Sequence, residues 1–372
     1  MKLRSTLTNP KGPARSPEGE ESPETRSTNR FRERLSVVIL AFVCLTAVTL
    51  LKPDGDPDIW ARLAAGKLIL ETGQVVRPDP FSYTPTTPEW IDHEWGAGVV
   101  FYIVAAMAGQ RGLLLLKASL MFGTLTFMYL RARRATGRPP SLIFHVLLVG
   151  AMTLGFVASI RAQAFTFFLF SAWLYVLERA REGRWGFAWL IPLSGVLWAN
   201  LHGGFLAGVG LIVLFAGGEF IRRGPAARFG ALAAITAAAS LINPYGFRYW
   251  SYLLDATTMD RSTIAEWRPM NLFGSESVFL GFKILLALTA VALIRKAFDR
   301  DLPDPGTLAT LLVTAAIGLR VARHSTFFII ASAPFVWSWL TSMWRRFAPA
   351  LSLIHISEPT RLRRISYAVF CL

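Results

Sequence analysis

Two cysteines among 372 residues are too few for a disulfide framework. Cys44 falls inside an apolar run and Cys371 at the end of the chain. The chain has no Gly-x-x-x-x-Gly-Lys-Ser/Thr loop, which argues against an ATP-driven pump. It also has no His-Glu-x-x-His zinc protease motif and no Cys-x-x-Cys-His haem motif. An internal inverted repeat of the kind many secondary transporters show is missing too. Charge is scarce, at 17% of residues, and uneven, with 39 basic against 24 acidic side chains.

Apolar side chains fill the space that charge leaves. Hydrophobic residues make up 53% of the chain, with 27 Phe and 12 Trp, and mean hydropathy is +0.42. Several apolar runs reach roughly 17–25 residues, the length a helix needs to cross a bilayer. The expected fold is therefore all-α, a polytopic bundle of transmembrane helices. The net charge of +15 sits mostly in short loops between the runs. That placement is the positive-inside pattern of membrane proteins and excludes nucleic acid as a partner.

The two ends stand apart. Residues 1–34, rich in Ser, Pro, Glu and Arg, are expected to be a disordered cytoplasmic segment. They are too long and too acidic for the start of a signal peptide, so the apolar run that follows reads as a retained anchor. From Ser352 the chain reads Ser-Leu-Ile-His-Ile-Ser-Glu-Pro-Thr-Arg, which resembles translated sequencing-adapter read-through. Residues 351–372 are thus expected to be artefactual, with the natural chain truncated near Ala350.

Loop charge orders the runs. Ten crossings are expected: Leu35–Leu51, Leu113–Leu130, Ser141–Ile160, Ala164–Leu177, Phe187–Leu201, Phe205–Phe220, Ala231–Ile242, Val278–Ile294, Leu308–Leu319 and Thr326–Trp344. Clusters such as Arg131-Ala-Arg-Arg134 and Arg345-Arg346 then face the cytoplasm. Gly96–Ala108, short and bounded by the Gly109-Gln-Arg-Gly112 turn, reads as an interfacial or half-inserted helix within an outer loop over 52–112. As a full span it would invert every later loop.

This map puts nearly every unusual polar group on one face. Eight carboxylates fall between Asp54 and Glu94. Asp56 and Asp58 sit on a Pro/Gly turn, where they suit a general base or a divalent cation (Mg or Mn) held by hard oxygens. Asp58 is equally placed to cap the helix expected from Ile59. Asp92 and Glu94, between Trp90 and Trp95, either complete that site or form the polar rim of an interfacial helix. Asp79-Pro80 reads as a turn. Arg161, His202, Arg320, Arg323 and His324 crowd the same face, with Arg320 three residues before Arg323 on one expected helical face. Ionisable groups at membrane depth are costly and mark function or a specific partner, although arginines also snorkel to lipid headgroups.

Asp56-Pro-Asp-Ile-Trp60, Asp79-Pro-Phe-Ser-Tyr-Thr84, Asp92-His-Glu-Trp95, Trp198-Ala-Asn-Leu-His-Gly-Gly204, Asn243-Pro-Tyr-Gly246 and Glu266-Trp267 follow one another in a fixed order. Together they make residues 35–350 resemble the GT-C class of membrane glycosyltransferases, and a group of poorly characterised bacterial proteins of that architecture. The more familiar Asp-Glu pair after the first span is replaced by Asp56 and Asp58. The resemblance implies an inverting transferase in the bacterial inner membrane, taking a sugar from a polyprenyl-phosphate donor at the outer face. Asp58, Asp56 and Glu94 would serve as base or metal ligands. Arg161, His202, Arg320, Arg323 and His324 would hold the donor phosphate, and Trp267 would stack on a sugar or anchor at the headgroups. The competing reading is a non-enzymatic transporter or lipid-binding scaffold on a degenerate version of the same fold.

Overall fold

An apolar stretch away from water has one self-sufficient backbone solution, the helix, because it satisfies each N–H and C=O internally. The computed structural model describes residues 58–81, 83, 90–137, 140, 144, 148, 160–261, 263–274 and 279–357, with positions 27, 28, 32, 35, 36, 39, 40 and 43 near the N-terminus. Among the described residues there is no strand. Ten α-helices follow one another among them: α1 (Asp58–Thr72), α2 (Trp95–Thr136), α3 (Gln163–Arg181), α4 (Leu190–Leu201), α5 (Phe205–Ile221), α6 (Ala226–Ala239), α7 (Phe247–Thr258), α8 (Leu280–Phe298), α9 (Pro305–Arg320) and α10 (Ser325–Ser357). Single 3-10 turns cover Trp185–Phe187, Ala265–Trp267 and Ala322–His324.

The chain divides into a unit over 1–39 and a unit over 40–372. In the first, Ser27, Thr28 and Arg32 are helical, although the composition of 1–34 suggests disorder. The site described below lies in the second unit. Most of the expected crossings Leu35–Leu51 and Ser141–Ile160 falls outside the described residues, as do Asp56 and everything beyond Ser357.

Among the described residues, two helices are long and apolar enough to cross a membrane, Trp95–Thr136 and Ala322–Arg346. The apolar helices α5, α6 and α9 are shorter, at 17, 14 and 16 residues. At about 1.5 Å per residue, 14 residues span about 21 Å, short of a hydrocarbon core of about 30 Å. α2 is not continuous: Gly109 at φ 59° and ψ −152° breaks it, a conformation that glycine adopts without strain. The half before the break contains Gly96–Ala108, the short segment set apart on sequence.

Helix polarity is sorted. The C-terminal turns of α2, α3 and α8 carry Arg133 and Arg134, Arg179 and Arg181, and Arg295 and Lys296. These basic ends meet one another. Arg134 pairs with Glu182, Arg181 with Asp304, Arg346 with Asp299 at 3.5 Å, and Arg345 donates to the Thr136 carbonyl at 3.1 Å. Asp304 also accepts from the Thr307 amide at 3.0 Å and caps α9, with Pro305 opening the helix. The opposite ends of α2, α3, α4, α5, α9 and α10 gather the other polar set.

Between the two ends lies an aromatic interior. Trp173 and Trp198 pack edge to face at 4.9 Å, and Phe170 meets Phe327 at 4.8 Å. Pro334 in α10 has no N–H, so the Ile330 carbonyl one turn earlier loses its helical partner. Arg131, buried on α2, fills the gap: Nη1 donates to that carbonyl at 2.8 Å, and Nη2 donates to Glu178 at 2.7 Å.

Candidate functional site

Site assembly begins where α1 meets α2. A β-carbon on Gly66 would run into the Gly98 carbonyl, and one on Gly98 would come within 2.7 Å of the Arg62 carbonyl. Two glycines thus let the backbones touch, as small residues do in membrane bundles. Asp58, Arg62 and Gly66 recur every four residues and share one face of α1. The contact that seats Gly66 therefore aims Arg62 and Asp58 at the start of α2.

There Arg62 pairs with Asp92, which is 2% exposed, and its Nε lies 3.6 Å from Glu94 Oε2. The Asp92 amide donates to the Tyr245 hydroxyl at 3.0 Å, and the Glu94 amide donates back to Asp92 Oδ1 at 3.0 Å. Tyr245 belongs to the Asn243-Pro-Tyr-Gly246 turn, whose Asn243 Oδ1 accepts from the Tyr245 amide at 2.8 Å. That motif is a turn, as its sequence suggests, and it also props the acidic loop. Glu94 is the N-cap residue of α2 but makes no side-chain capping bond, so its carboxylate stays available.

From the other side come Arg161, just before α3, and Arg323, in the turn before α10. Both hold Glu266: Arg161 Nη1 lies 2.7 Å from Oε2 and Arg323 Nη1 2.7 Å from Oε1. Asp58, Arg62, Glu94, Arg161 and Arg323 line one cavity of about 20 Å³, with Ile59, Phe101, Ile160 and Ala162 as its apolar walls. That volume holds about one water. Asp58 is exposed at its edge.

Behind Glu94 stand two imidazoles. His202 Nε2 lies 3.4 Å and His93 Nε2 3.6 Å from Glu94 Oε1. His93 is held in turn by α7, where Tyr249 donates to its carbonyl at 3.2 Å and the Tyr252 hydroxyl lies 3.3 Å from Nδ1. Burial raises the Glu94 carboxyl, but His93 and the Arg62 and Arg323 guanidiniums outweigh it and hold the group below its ordinary value. Burial pushes His202 down to about 3 despite Glu94, so its imidazole is neutral at neutral pH. Burial also works against the Arg62 charge, yet Asp92, Glu94 and Asp58 keep its pKa above the ordinary value.

Four of the residues singled out on sequence, Asp58, Glu94, Arg161 and Arg323, thus share one cavity. His202 reaches it only through Glu94. Arg320 does not join them. α9 ends at Arg320, Val321 is extended at φ −138° and ψ 107°, and the next three residues form a 3-10 turn. The helical face expected to align Arg320 with Arg323 does not exist, and Arg320 is exposed. His324 points elsewhere, its ring 5.8 Å from Trp267 and 6.0 Å from Phe327. Trp267 has close neighbours as well: the Arg261 and Arg323 guanidiniums lie 4.3 and 5.2 Å from its ring centre. The half-buried Trp267 ring thus has two guanidiniums within cation–π reach.

A divalent cation does not fit the described residues. No group of three His, Cys, Asp or Glu among them is placed to hold a metal. Asp58 and Glu94 share the cavity with three guanidiniums, whose charge opposes a cation and suits an anion. Asp56, the third expected ligand, lies outside the described residues.

Arg62 does not stand out in the sequence, and Glu266 does so only within the Glu266-Trp267 motif, with no role assigned to it. The available signal for Arg62 is its four-residue spacing from Asp58 and Gly66; for Glu266 there is none beyond its neighbour Trp267. No family model matches the chain, and no curated protein matches it.

Proposed function

We propose that the chain is a membrane glycosyltransferase of the GT-C kind, moving a sugar from a polyprenyl-phosphate donor to an acceptor hydroxyl. In this reading it crosses the bacterial inner membrane about ten times, with a cytoplasmic N-terminus and the site facing outward. The observation that carries the reading is the cavity where a carboxylate available to act as base meets guanidiniums from three separate stretches of chain. The gathering of basic helix ends at the other pole supports the orientation.

A carboxylate, Glu94 or Asp58, takes the proton of the acceptor hydroxyl while that oxygen bonds to the anomeric carbon. The bond from that carbon to the phosphate oxygen breaks, its electron pair leaves with the polyprenyl phosphate, and the configuration inverts. Arg161 and Arg323 hold the phosphate oxygens, for which a guanidinium fork is suited. The leaving charge stays beside them.

One observation favours the transporter or scaffold reading: a cavity of about 20 Å³ admits no sugar unless the surrounding loops open. Sugar transfer decides between the readings. Wild-type protein in proteoliposomes is offered a panel of polyprenyl-phosphate sugars. Transfer is expected, with Glu94→Gln reducing kcat by about 100-fold or more, as loss of a general base does. No transfer by wild type across the panel would overturn the enzymatic reading, and equal turnover by Asp58→Ala would remove Asp58 from the mechanism.

A further inference from the structure

The run Trp198-Ala-Asn-Leu-His-Gly-Gly204 joins α4 to α5, and the transfer step above leaves it without a task. Its hydrogen bonds supply one. The Gly204 amide donates to His202 Nδ1 at 2.9 Å, and Thr166 Oγ1 lies 2.8 Å from the same nitrogen. An amide N–H can only donate, so Nδ1 presents a lone pair. The Trp198 indole N–H donates to Thr166 Oγ1 at 2.8 Å and occupies an acceptor site of that hydroxyl. With the Gly204 amide fixing Nδ1 as acceptor, the Thr166 hydroxyl can only share that one lone pair as a second donor. A neutral imidazole whose Nδ1 accepts carries its proton on Nε2.

Nε2 faces Glu94 Oε1 at 3.4 Å. Glu94 lines the cavity and His202 does not, so the imidazole stands behind the carboxylate. Thr166 and Trp198 are fully buried, which excludes water from the chain of donors. The remaining parts of the motif fix its place. Asn200 Oδ1 accepts from Trp95 Nε1 at 3.1 Å, and Asn200 Nδ2 donates to the Ile242 carbonyl at 2.8 Å, tying the turn to the start of α2 beside Glu94.

We infer that His202 is a positioning residue for Glu94: Trp198, Thr166 and the Gly204 amide lock its tautomer, and its Nε2–H aims the carboxylate at the cavity. Glu94 rather than Asp58 is then the base of the transfer. His202 does not line the cavity, so its Nε2–H is spent on Glu94 rather than on a phosphate held there. At 3.4 Å the Nε2–Oε1 contact is an ion-pair distance rather than a formed hydrogen bond, and catalytic hydrogen bonds often tighten only when substrate arrives. Partners behind a reacting ligand typically matter 10–100-fold in metal sites, and an oriented base obeys the same logic. Several other titratable and charged groups surround this pair: His93 beside Glu94, Arg62 from α1, Arg323 and His324 from the turn before α10, and Tyr249 and Tyr252 from α7.

The inference rests on the sugar-transfer reading for its kinetic consequence but not for its geometry, and the experiment separates the two. Protein labelled with ¹⁵N-histidine in nanodiscs is examined by long-range ¹H–¹⁵N correlation, with the His202 signals assigned by their loss in His202→Gln. The expected result is an Nε2–H tautomer that stays neutral from pH 8 to pH 5, and a loss of that locked signature in Thr166→Val. An Nδ1–H tautomer, or protonation within that range, overturns the inference whatever the protein catalyses.

In the transfer assay, His202→Ala is expected to lower kcat about 30-fold with donor KM within about twofold of wild type. His202→Gln, which keeps an N–H near the same oxygen, should recover part of that loss, and Thr166→Ser should outperform Thr166→Val. A rise in donor KM with kcat unchanged would make His202 a phosphate ligand after all. Wild-type protein that transfers nothing would sink the transferase reading, while the tautomer spectra still decide the geometry.

Discussion

Arg323 Nη1 lies 2.7 Å from Glu266 Oε1, while the other oxygen of that carboxylate holds Arg161 at the same distance. Two guanidiniums are thus bridged by one anion carrying two oxygens, the geometry a phosphate would present to them. Glu266 therefore competes with any phosphate that binds there. Glu266→Ala should tighten binding of a polyprenyl monophosphate by about tenfold, equivalent to about 1.4 kcal/mol, as titrated in nanodiscs. Glu266→Gln, which keeps the shape without the charge, should fall between. Weaker binding by both variants would mean that Glu266 orients the arginines rather than blocking them.

The Arg131 contact with Ile330 leads to a prediction about stability. Its guanidinium serves Glu178 and the carbonyl that Pro334 frees, and it is 5% exposed. Arg131→Ala leaves a carboxylate and a carbonyl unmatched, at a cost of about 3 kcal/mol. Arg131→Lys cannot fork to both acceptors and should recover only part of that. Pro334→Ala restores the backbone bond of α10, so the double variant should lose less than Arg131→Ala alone. Denaturant unfolding in mild detergent measures all three, and equal losses for the single and double variants would exclude this role for the proline.

Much of this architecture can be read directly from the chain. Apolar runs announce helices, Arg-rich stretches announce their ends, and Gly109 announces the break in α2. Asp58 and Glu94 meet Arg161 and Arg323 in one cavity, as grouping the polar helix ends on one face leads one to expect. Pairings are harder, because they depend on how closely backbones approach. Arg62 looks like an ordinary polar position of α1 until Gly66 and Gly98 bring the two helices into contact. Arg320 fails for the opposite reason: spacing assumes a continuous helix, and one extended residue at Val321 removes the shared face. Trp267 reads as a ring for a sugar or a headgroup, yet Arg261 from its own loop and Arg323 from a distant turn lie against it.

Acid should weaken the fold through His202. Its folded pKa of about 3 lies below the ordinary 6.5, chiefly through burial. The unfolded chain therefore binds the proton first. The stability contribution is complete above pH 6.5 and is lost as pH falls toward 3. Between pH 7.5 and pH 5 the loss from this residue is about 2 kcal/mol. Glu94 adds nothing in that window, because its folded value is depressed and its own contribution fades only below its ordinary 4.5. His202→Gln should flatten the decline between pH 7.5 and pH 5 by about that amount relative to wild type. Parallel declines for the two proteins would mean that His202 titrates normally in the fold.

Glycine-to-alanine substitution at three nearby positions gives the sharpest test of the locked imidazole, since the chemical change is the same each time. Gly204 has an ordinary helical backbone, at φ −62°, so alanine meets no conformational strain there. The obstacle is space: its β-carbon would lie 2.5 Å from Thr166 Oγ1 and 2.7 Å from His202 Nδ1. At Gly210 and Gly217, on the exposed face of α5, nothing lies within 4 Å. Those two substitutions should leave transfer unchanged and stabilise the helix by about 0.5–1 kcal/mol, because alanine has less freedom to lose. Gly204→Ala should cost about 1–3 kcal/mol through overpacking. It must also push Thr166 or His202 off its partner, so transfer should fall further than the lost stability explains. If Gly204→Ala keeps full turnover while the histidine spectra show the hydroxyl displaced, the tautomer lock has no bearing on the reaction.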